Sequence, residues 1–327
     1  MDDDRLRLLF ICCHPTLSME ARVALTLRIV GGLTVGEIAH AFLVQESTIA
    51  QRITRAKAKI RAARIPYSLP TPADLPERIE GVLAVLYLVF NEGYLASGSD
   101  AAPLRRELTA EAIRLTRLVR DLLPADPEAK GLLALMLLTE ARAAARLSAD
   151  GSELLRLDEQ DRGSWDRALI AEGLALLQLD PSSVGGPRPG RFALLAAINA
   201  VHVTAPHARD TRWGRIVSLY EALETIDPSP FVTLNKAIAI GERDSPSAAL
   251  DIVERLRGAL GGFHAFHVAR AELLRAAGRS QAASDAYGVA IELAGNTAER
   301  AHLIRRRDQL APLLTETPEI EMNGESS

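Results

Sequence analysis

Cysteine is nearly missing from this chain. Of 327 residues, two are cysteines, and they are neighbours, Cys12 and Cys13. Adjacent cysteines frame no disulfide scaffold, so a packed core must hold the fold, and a reducing cytoplasm is the expected setting. Aromatic residues are scarce at 4%. That argues against a β-sandwich or barrel, which draw on aromatic and β-branched residues. The dominance of Ala and Leu favours helices instead. Long apolar runs are lacking too. Gly81–Asn91 has 11 residues between Glu80 and Glu92, and Phe192–Ala208 has 17 but contains Asn199, His202, Pro206 and His207. A spanning helix needs about 20 apolar residues, so no membrane partner is expected. The opening Met1-Asp2-Asp3-Asp4 has the wrong sign for a signal peptide. The expected class is an all-α protein of about two domains.

The net charge is −4, unevenly spread. Residues 1–64 hold ten basic and six acidic residues, a balance of +4. Ser47–Arg64 contains Arg52, Arg55, Lys57, Lys59, Arg61 and Arg64 and no acid. A basic stripe along one helix is the electrostatic mark of a phosphate-binding surface.

Arg5–Cys13 reads as a short buried helix ending at His14-Pro15. Ser18 can cap a second helix, with Val23, Ala24, Leu27 and Val30 inward and Gly31-Gly32 as its stop. Thr34 and Glu37 have capping-box spacing and open a short third helix. A break at Leu43-Val44-Gln45 precedes a fourth, from about Glu46 to Arg64. At 100° per residue, Ile49, Ile53, Ala56 and Ile60 form the inner stripe of this last helix. Ser47, Thr48, Gln51 and Arg55 fall opposite. Arg52 and Lys59 lie on one shoulder, Lys57 and Arg61 on the other. Groups able to read base edges thus sit between basic flanks, as a major-groove recognition helix requires.

Leu33-Thr34-Val35-Gly36-Glu37-Ile38-Ala39, followed by Ser47-Thr48-Ile49-Ala50-Gln51-Arg52-Ile53-Thr54-Arg55-Ala56-Lys57, resembles region 4 of bacterial RNA polymerase sigma factors. Leu9–Pro15 and Glu20–Arg28 resemble the extracytoplasmic-function subgroup that carries a long TPR-like C-terminal extension. The resemblance implies binding to the promoter −35 element and to the β flap of core RNA polymerase. Glu46, Ser47, Thr48, Ala50, Gln51, Arg52, Arg55, Lys57 and Lys59 are the expected DNA-contacting set. Two positions depart from the pattern: Leu43 replaces a common Gly and Ala50 a common Lys, which changes the bases that can be read. The family's region 2 would precede region 4, and about five residues precede the first helix here. The chain therefore reads as a truncated or split factor, expected not to melt a promoter alone.

The expected organisation is a helix-turn-helix domain at 1–64, a Pro-rich linker at 65–76, a helical extension at 77–312 and a disordered acidic tail at 313–327. Ala271, Leu274, Gly278, Ala283, Tyr287 and Ala290 carry tetratricopeptide spacing. Weaker units lie at Tyr220, Leu223 and Pro228, and at Ala237, Ala249 and Val253. Such an array presents a concave protein-binding face. The subgroup resemblance continues through Asn91-Glu92-Gly93-Tyr94, Gly131–Leu137, Leu157–Arg162 with Trp165-Asp166, and Ser229-Pro230 with Leu234-Asn235. Gly93 is expected to end its helix in the left-handed region.

Other clusters carry weaker signals. No second Cys or His pair follows Cys12-Cys13-His14 at zinc-site spacing; His264 and His267, three apart, could pair as ligands on a helix but sit among the packing groups Phe263 and Phe266, and His202 and His207 straddle a helix end and Pro206, so no metal or cofactor is expected. Asp158-Glu159-Gln160-Asp161-Arg162 could pair carboxylates for acid–base work, but no nucleophile motif or phosphate loop accompanies it. The leading expectation is a sigma factor, not an enzyme. A stand-alone helix-turn-helix regulator or scaffold is the alternative, and a helical enzyme a third.

Overall fold

The computed structural model describes residues 2–42, 44–71, 73–95, 104–151, 153–177, 189–295 and 297–310. The expected acidic tail and Leu43, which stands in place of a common Gly, lie outside the described residues. Every regular element among the described residues is a helix. Two compact units divide the chain: 1–148 with 155–212, and 149–154 with 213–327.

The first unit begins with α1 (Asp2–Cys12) and α2 (Met19–Leu25). Ser18 caps α2 by accepting from the Ala21 N–H at 3.4 Å. The helix continues as a π-helical turn over Thr26–Val30 and stops at Gly32, whose φ of 80° is left-handed. The turn carries buried Thr26, whose hydroxyl lies 3.4 Å from the Cys13 sulfur. The capping box forms as expected. Glu37 N–H donates to Thr34 Oγ1 at 3.1 Å, and Thr34 N–H donates to the Glu37 carboxylate at 2.6 Å, opening α3 (Val35–Ala41). Next comes α4 (Glu46–Ala62), which ends in a Schellman motif. Arg64 N–H donates to Arg61 and Ile65 N–H to Ile60, with Arg64 itself left-handed at φ 49°.

The helices that follow are α5 (Leu75–Tyr94), α6 (Arg106–Leu122), α7 (Pro127–Glu140), α8 (Arg167–Leu177) and α9 (Arg191–Thr204). The sequence reading places a boundary at 65–76, but the core runs across it. Leu9, Phe10, Leu27, Ile38 and Ile49 belong to one buried cluster with Val82, Leu86, Leu108, Leu115 and Leu133. The Pro-rich stretch is an exposed strap over one core, not a spacer between two. It is tied back where the Tyr67 hydroxyl donates to the Asp4 carbonyl at 3.4 Å.

Gly93 also differs from expectation. α5 runs through it, and its φ is not left-handed. A Cβ there would stand 2.7 Å from Thr109 N and 2.8 Å from Leu108 Cβ, so glycine lets α5 and α6 meet. Arg105 N–H donates to the Gly93 carbonyl at 2.8 Å in the space this leaves.

The second unit stacks α10 (Trp213–Glu224), α11 (Pro230–Arg243), α12 (Pro246–Arg255), α13 (Arg257–Leu260), α14 (His264–Ala276), α15 (Ser280–Glu292) and α16 (Thr297–Asp308). Successive helices pack on one another. Gly278, at φ 72°, turns the chain between α14 and α15. Tyr287 is fully buried in the same cluster as Ala271, Leu274, Ala283 and Ala290. Its hydroxyl donates to Glu272 at 2.5 Å, and Glu272 also takes two hydrogen bonds from Arg306.

Candidate nucleic-acid interface

α4 is amphipathic in the manner its sequence predicts. Ile49, Ile53 and Ala56 are buried and Ile60 is half-buried, which anchors the helix on α2 and α3. Ser47, Ala50, Gln51 and Arg55 are exposed, as are Lys57 and Lys59. Positions 47, 51 and 55 share one face at i, i+4 spacing.

The cations of this helix and its end make no ion-pair contacts. Among the described residues, Arg52, Arg55, Lys57, Lys59, Arg61 and Arg64 all lack an ion pair. Other arginines are paired: Arg105 with Glu92 at 3.2 Å, Arg117 with Glu172 at 2.7 Å and Arg306 with Glu272 at 2.5 Å. Lys59 and Arg61 lie in the last turn, where the helix dipole favours cations, so fold stability accounts for them in part. It does not account for Arg52, Arg55 and Lys57. Exposed cations without ion-pair partners, as at Arg55 and Lys57, leave their field available for phosphates.

Three of the expected contacts sit differently from the helical wheel. Arg52 is half-buried and turned towards α2 and α5, lining a cleft of about 260 Å³ with Glu20, Phe42, Leu88 and Glu92. The Glu20 carboxyl is held low by hydrogen bonds from the backbone and Ser18, and Arg52 adds to the effect. Thr48 is half-buried. Glu46 leans back on α3, where a Cβ on Gly36 would stand 3.0 Å from its carboxylate. That leaves Ser47, Ala50, Gln51 and Arg55 as the outward face, with Lys57 and Lys59 beside it. The cleft under Arg52 had no signal in the sequence, because its far wall comes from α5.

The remaining clusters are engaged locally. Cys12 and Cys13 are buried, and burial pushes both thiols up, Cys13 to about 11. His14 pairs with Thr16 at 2.9 Å. His267 hydrogen-bonds the Gly261 carbonyl at 2.8 Å, and His264 lies 3.5 Å from Glu299. Among the described residues no group of three His, Cys, Asp or Glu could hold a metal ion. Asp158 pairs with Arg156 at 3.0 Å, and Asp161 accepts from the Gly163 N–H at 2.8 Å. These carboxylates hold turns. No described helix is long and apolar enough to cross a membrane.

Residues 7–60 match the family model for sigma-70, region 4. The chain carries a sigma-70 region 4 domain at its N-terminal end. Residues 78–180 match a second model, a family of unknown function (DUF6596). An uncharacterized protein of Rhizobium meliloti (strain 1021) is 46% identical over 309 residues, covering 94% of this chain and 72% of that relative. The likeness thus runs through region 4 and both helical units. Region 4 is a helix-turn-helix DNA-binding domain of the transcription machinery, and α3 and α4 are its helix-turn-helix.

Proposed function

We propose that this protein is a transcription initiation factor of the extracytoplasmic-function subgroup. In this reading α4 of region 4 enters the major groove of the promoter −35 element, and region 4 docks on the β flap of core RNA polymerase. The observation that carries the reading is the set of unpaired cations on α4 around the exposed Ser47, Gln51 and Arg55. Gln can pair bidentately with adenine and Arg with guanine, and the flanking lysines meet phosphates. Ala50 offers a methyl to a thymine rather than a charge.

The second unit is the regulatory module, a TPR-like array that binds a protein partner. Its support is the pairing of α14 and α15 around Tyr287, with Ala271 and Ala283 allowing close approach. The compartment is the cytoplasm, where the polymerase is.

Co-purification with core RNA polymerase tests the proposal. The full chain should be retained on immobilised core enzyme, and a duplex selected from a random pool should bind in competition with Lys59→Ala-sensitive, non-specific DNA. Binding to DNA without retention on the polymerase would favour a stand-alone helix-turn-helix regulator.

A further inference from the structure

Apart from the cleft under Arg52, the first unit has a cavity of about 230 Å³ between the end of α1, the Pro-rich strap and the start of α5. Its apolar wall includes Ile11, Ile65 and Leu69. Its charged groups are Asp74 and Arg78, and His14 stands in the same lining. No residue of α4 borders it.

Asp74 and Arg78 face one space without meeting. Arg78 N–H donates to the Asp74 carbonyl at 3.1 Å, which puts the two residues on one helical turn. Opposite charges at this i, i+4 spacing usually pair. Among the described residues no ion pair joins these two. Each is held by a different neighbour instead. The Thr71 hydroxyl donates to Asp74 Oδ2 at 2.6 Å, and Arg78 Nη2 donates to the Phe10 carbonyl. Arg78 Nε is buried with no partner, and Nη1 makes no hydrogen bond among the described residues. Burial disfavours the Arg78 charge, and Asp74 and Glu77 act on it only from a distance.

His14 adds a donor to the cationic side. Thr16 N–H donates to His14 Nδ1 at 3.2 Å, so the neutral ring carries its proton on Nε2. Burial, then Arg78 and Arg22, hold this imidazole below its usual 6.5, and it is neutral near pH 7. Arg22 backs the site with its Nε on the Leu17 carbonyl at 3.0 Å and its Nη2 on the Pro15 carbonyl at 2.9 Å.

The cavity thus has a cationic side, an anionic side and an apolar wall. A lone anion would meet Asp74 and a lone cation would meet Arg78. A molecule bearing both charges satisfies both. Side chains at i, i+4 start about 5–6 Å apart, which suits charges carried on neighbouring atoms of one small molecule. An apolar cavity of about 150 Å³ holds a benzene ring, so the space here admits roughly nine heavy atoms. We infer that this cavity binds a small zwitterion, an aliphatic α-amino acid, with its carboxylate on Arg78 and the His14 Nε2–H and its ammonium on Asp74. Arginine with a carboxylate is a strong, charge-assisted pair. The aliphatic side chain lies on Ile11, Ile65 and Leu69, so a few polar groups orient the ligand and apolar surface holds it. The site stands whether or not α4 reads DNA.

Titration of the full chain with L-leucine tests the inference, by calorimetry and by the NMR pH titration of His14. Saturable one-site binding is expected, with the His14 pKa rising on saturation as the carboxylate offsets Arg78 and Arg22. Leucinamide lacks the carboxylate and 4-methylpentanoate lacks the ammonium, and each should bind about tenfold more weakly or worse, the worth of one charge-assisted hydrogen bond. Glycine lacks the side chain and should also bind more weakly. Asp74 is exposed, so Asp74→Asn tests the site without disturbing the core. It should weaken leucine binding about tenfold and leave 4-methylpentanoate binding no weaker. His14→Ala should weaken leucine binding too. Arg55→Ala with Lys59→Ala, on the DNA-facing side, should leave it unchanged. Absence of saturable leucine binding, equal affinity for leucine and both analogues, leucine affinity unchanged in either site variant, or a His14 pKa unmoved by leucine would each overturn the inference. Equal binding of glycine would overturn the aliphatic assignment.

Discussion

Arg78 of α5 donates to the carbonyl of Phe10 in α1, 68 positions earlier, and its guanidinium lies 6.0 Å from the Phe10 ring centroid. The contact joins region 4 to the first helix of the extension. Arg114 of α6 makes a second tie, donating to the Val30 carbonyl at 3.4 Å. Gly81 of α5 stands against the Cys13 carbonyl. With the shared buried cluster, these contacts make region 4 and α5–α7 one folding unit.

A core lesion on either side should therefore be felt on both. Leu86 is fully buried on α5. Leu86→Ala should cost about 2–5 kcal/mol. Hydrogen exchange should show amides of α3–α4 and of α5–α7 losing protection together. Loss confined to α5–α7 would restore the picture of an independent helix-turn-helix.

Arg64 is the one non-glycine residue at positive φ among those described. The left-handed conformation costs an L-residue with a Cβ about 1–2 kcal/mol, and glycine escapes that cost. Arg64→Gly should raise the denaturation midpoint of the first unit. Unchanged or lower stability would mean that the Schellman turn places no strain on this residue.

His202 gives the first unit an acid-sensitive window. Its pKa falls from 6.5 to about 4 in the folded state, because burial and then Arg142 and Arg162 disfavour the imidazolium. The unfolded chain binds the proton first as pH drops. This contribution to stability is thus complete above about pH 6.5 and is lost progressively towards pH 4. The total is on the order of 3 kcal/mol. Chemical denaturation across this window should show the decline, and His202→Gln should flatten it. An equal slope in the variant would place the titration elsewhere.

Tyr287 couples packing to charge in the second unit. Tyr287→Ala should cost about 3–5 kcal/mol, the usual range for a buried aromatic. Tyr287→Phe, which removes only the hydroxyl from Glu272, should cost about 0.5–1.5 kcal/mol, since Arg275 and Arg306 still satisfy that carboxylate. Calorimetric unfolding of the two variants separates the terms, and equal losses would contradict a packing contribution from the buried ring.

Local chemistry was readable from the sequence, and tertiary pairing was not. The Thr34–Glu37 capping box and the Ile49-Ile53-Ala56 stripe are short-range patterns, and both form as read. The prolines from Pro66 to Pro76 read as a linker because proline stiffens the chain locally. Nothing local announces that Phe10 and Leu86 share a core. Gly93 carries the same ambiguity, since glycine serves equally as a helix stop or as a point of close approach, and only Leu108 and Thr109 opposite it decide. At the candidate interface Gln51, Arg55 and Lys59 lie where the wheel puts them. Arg52 does not, because α5 supplies a wall that a helical wheel cannot contain.

The central claim is that α4 reads DNA sequence through Gln51 and Arg55 while Lys59 meets the phosphate backbone. The measurement that tests it most directly is a salt titration of affinity for a selected duplex and for a random one, made on the full chain and three variants. Gln51→Ala and Arg55→Ala should each lower affinity for the selected duplex by about 1–3 kcal/mol and leave the random duplex much less affected. Lys59→Ala should weaken both duplexes alike and reduce the slope of log affinity against log salt by about one. Equal losses on both duplexes for all three variants, with no change in slope, would contradict the account.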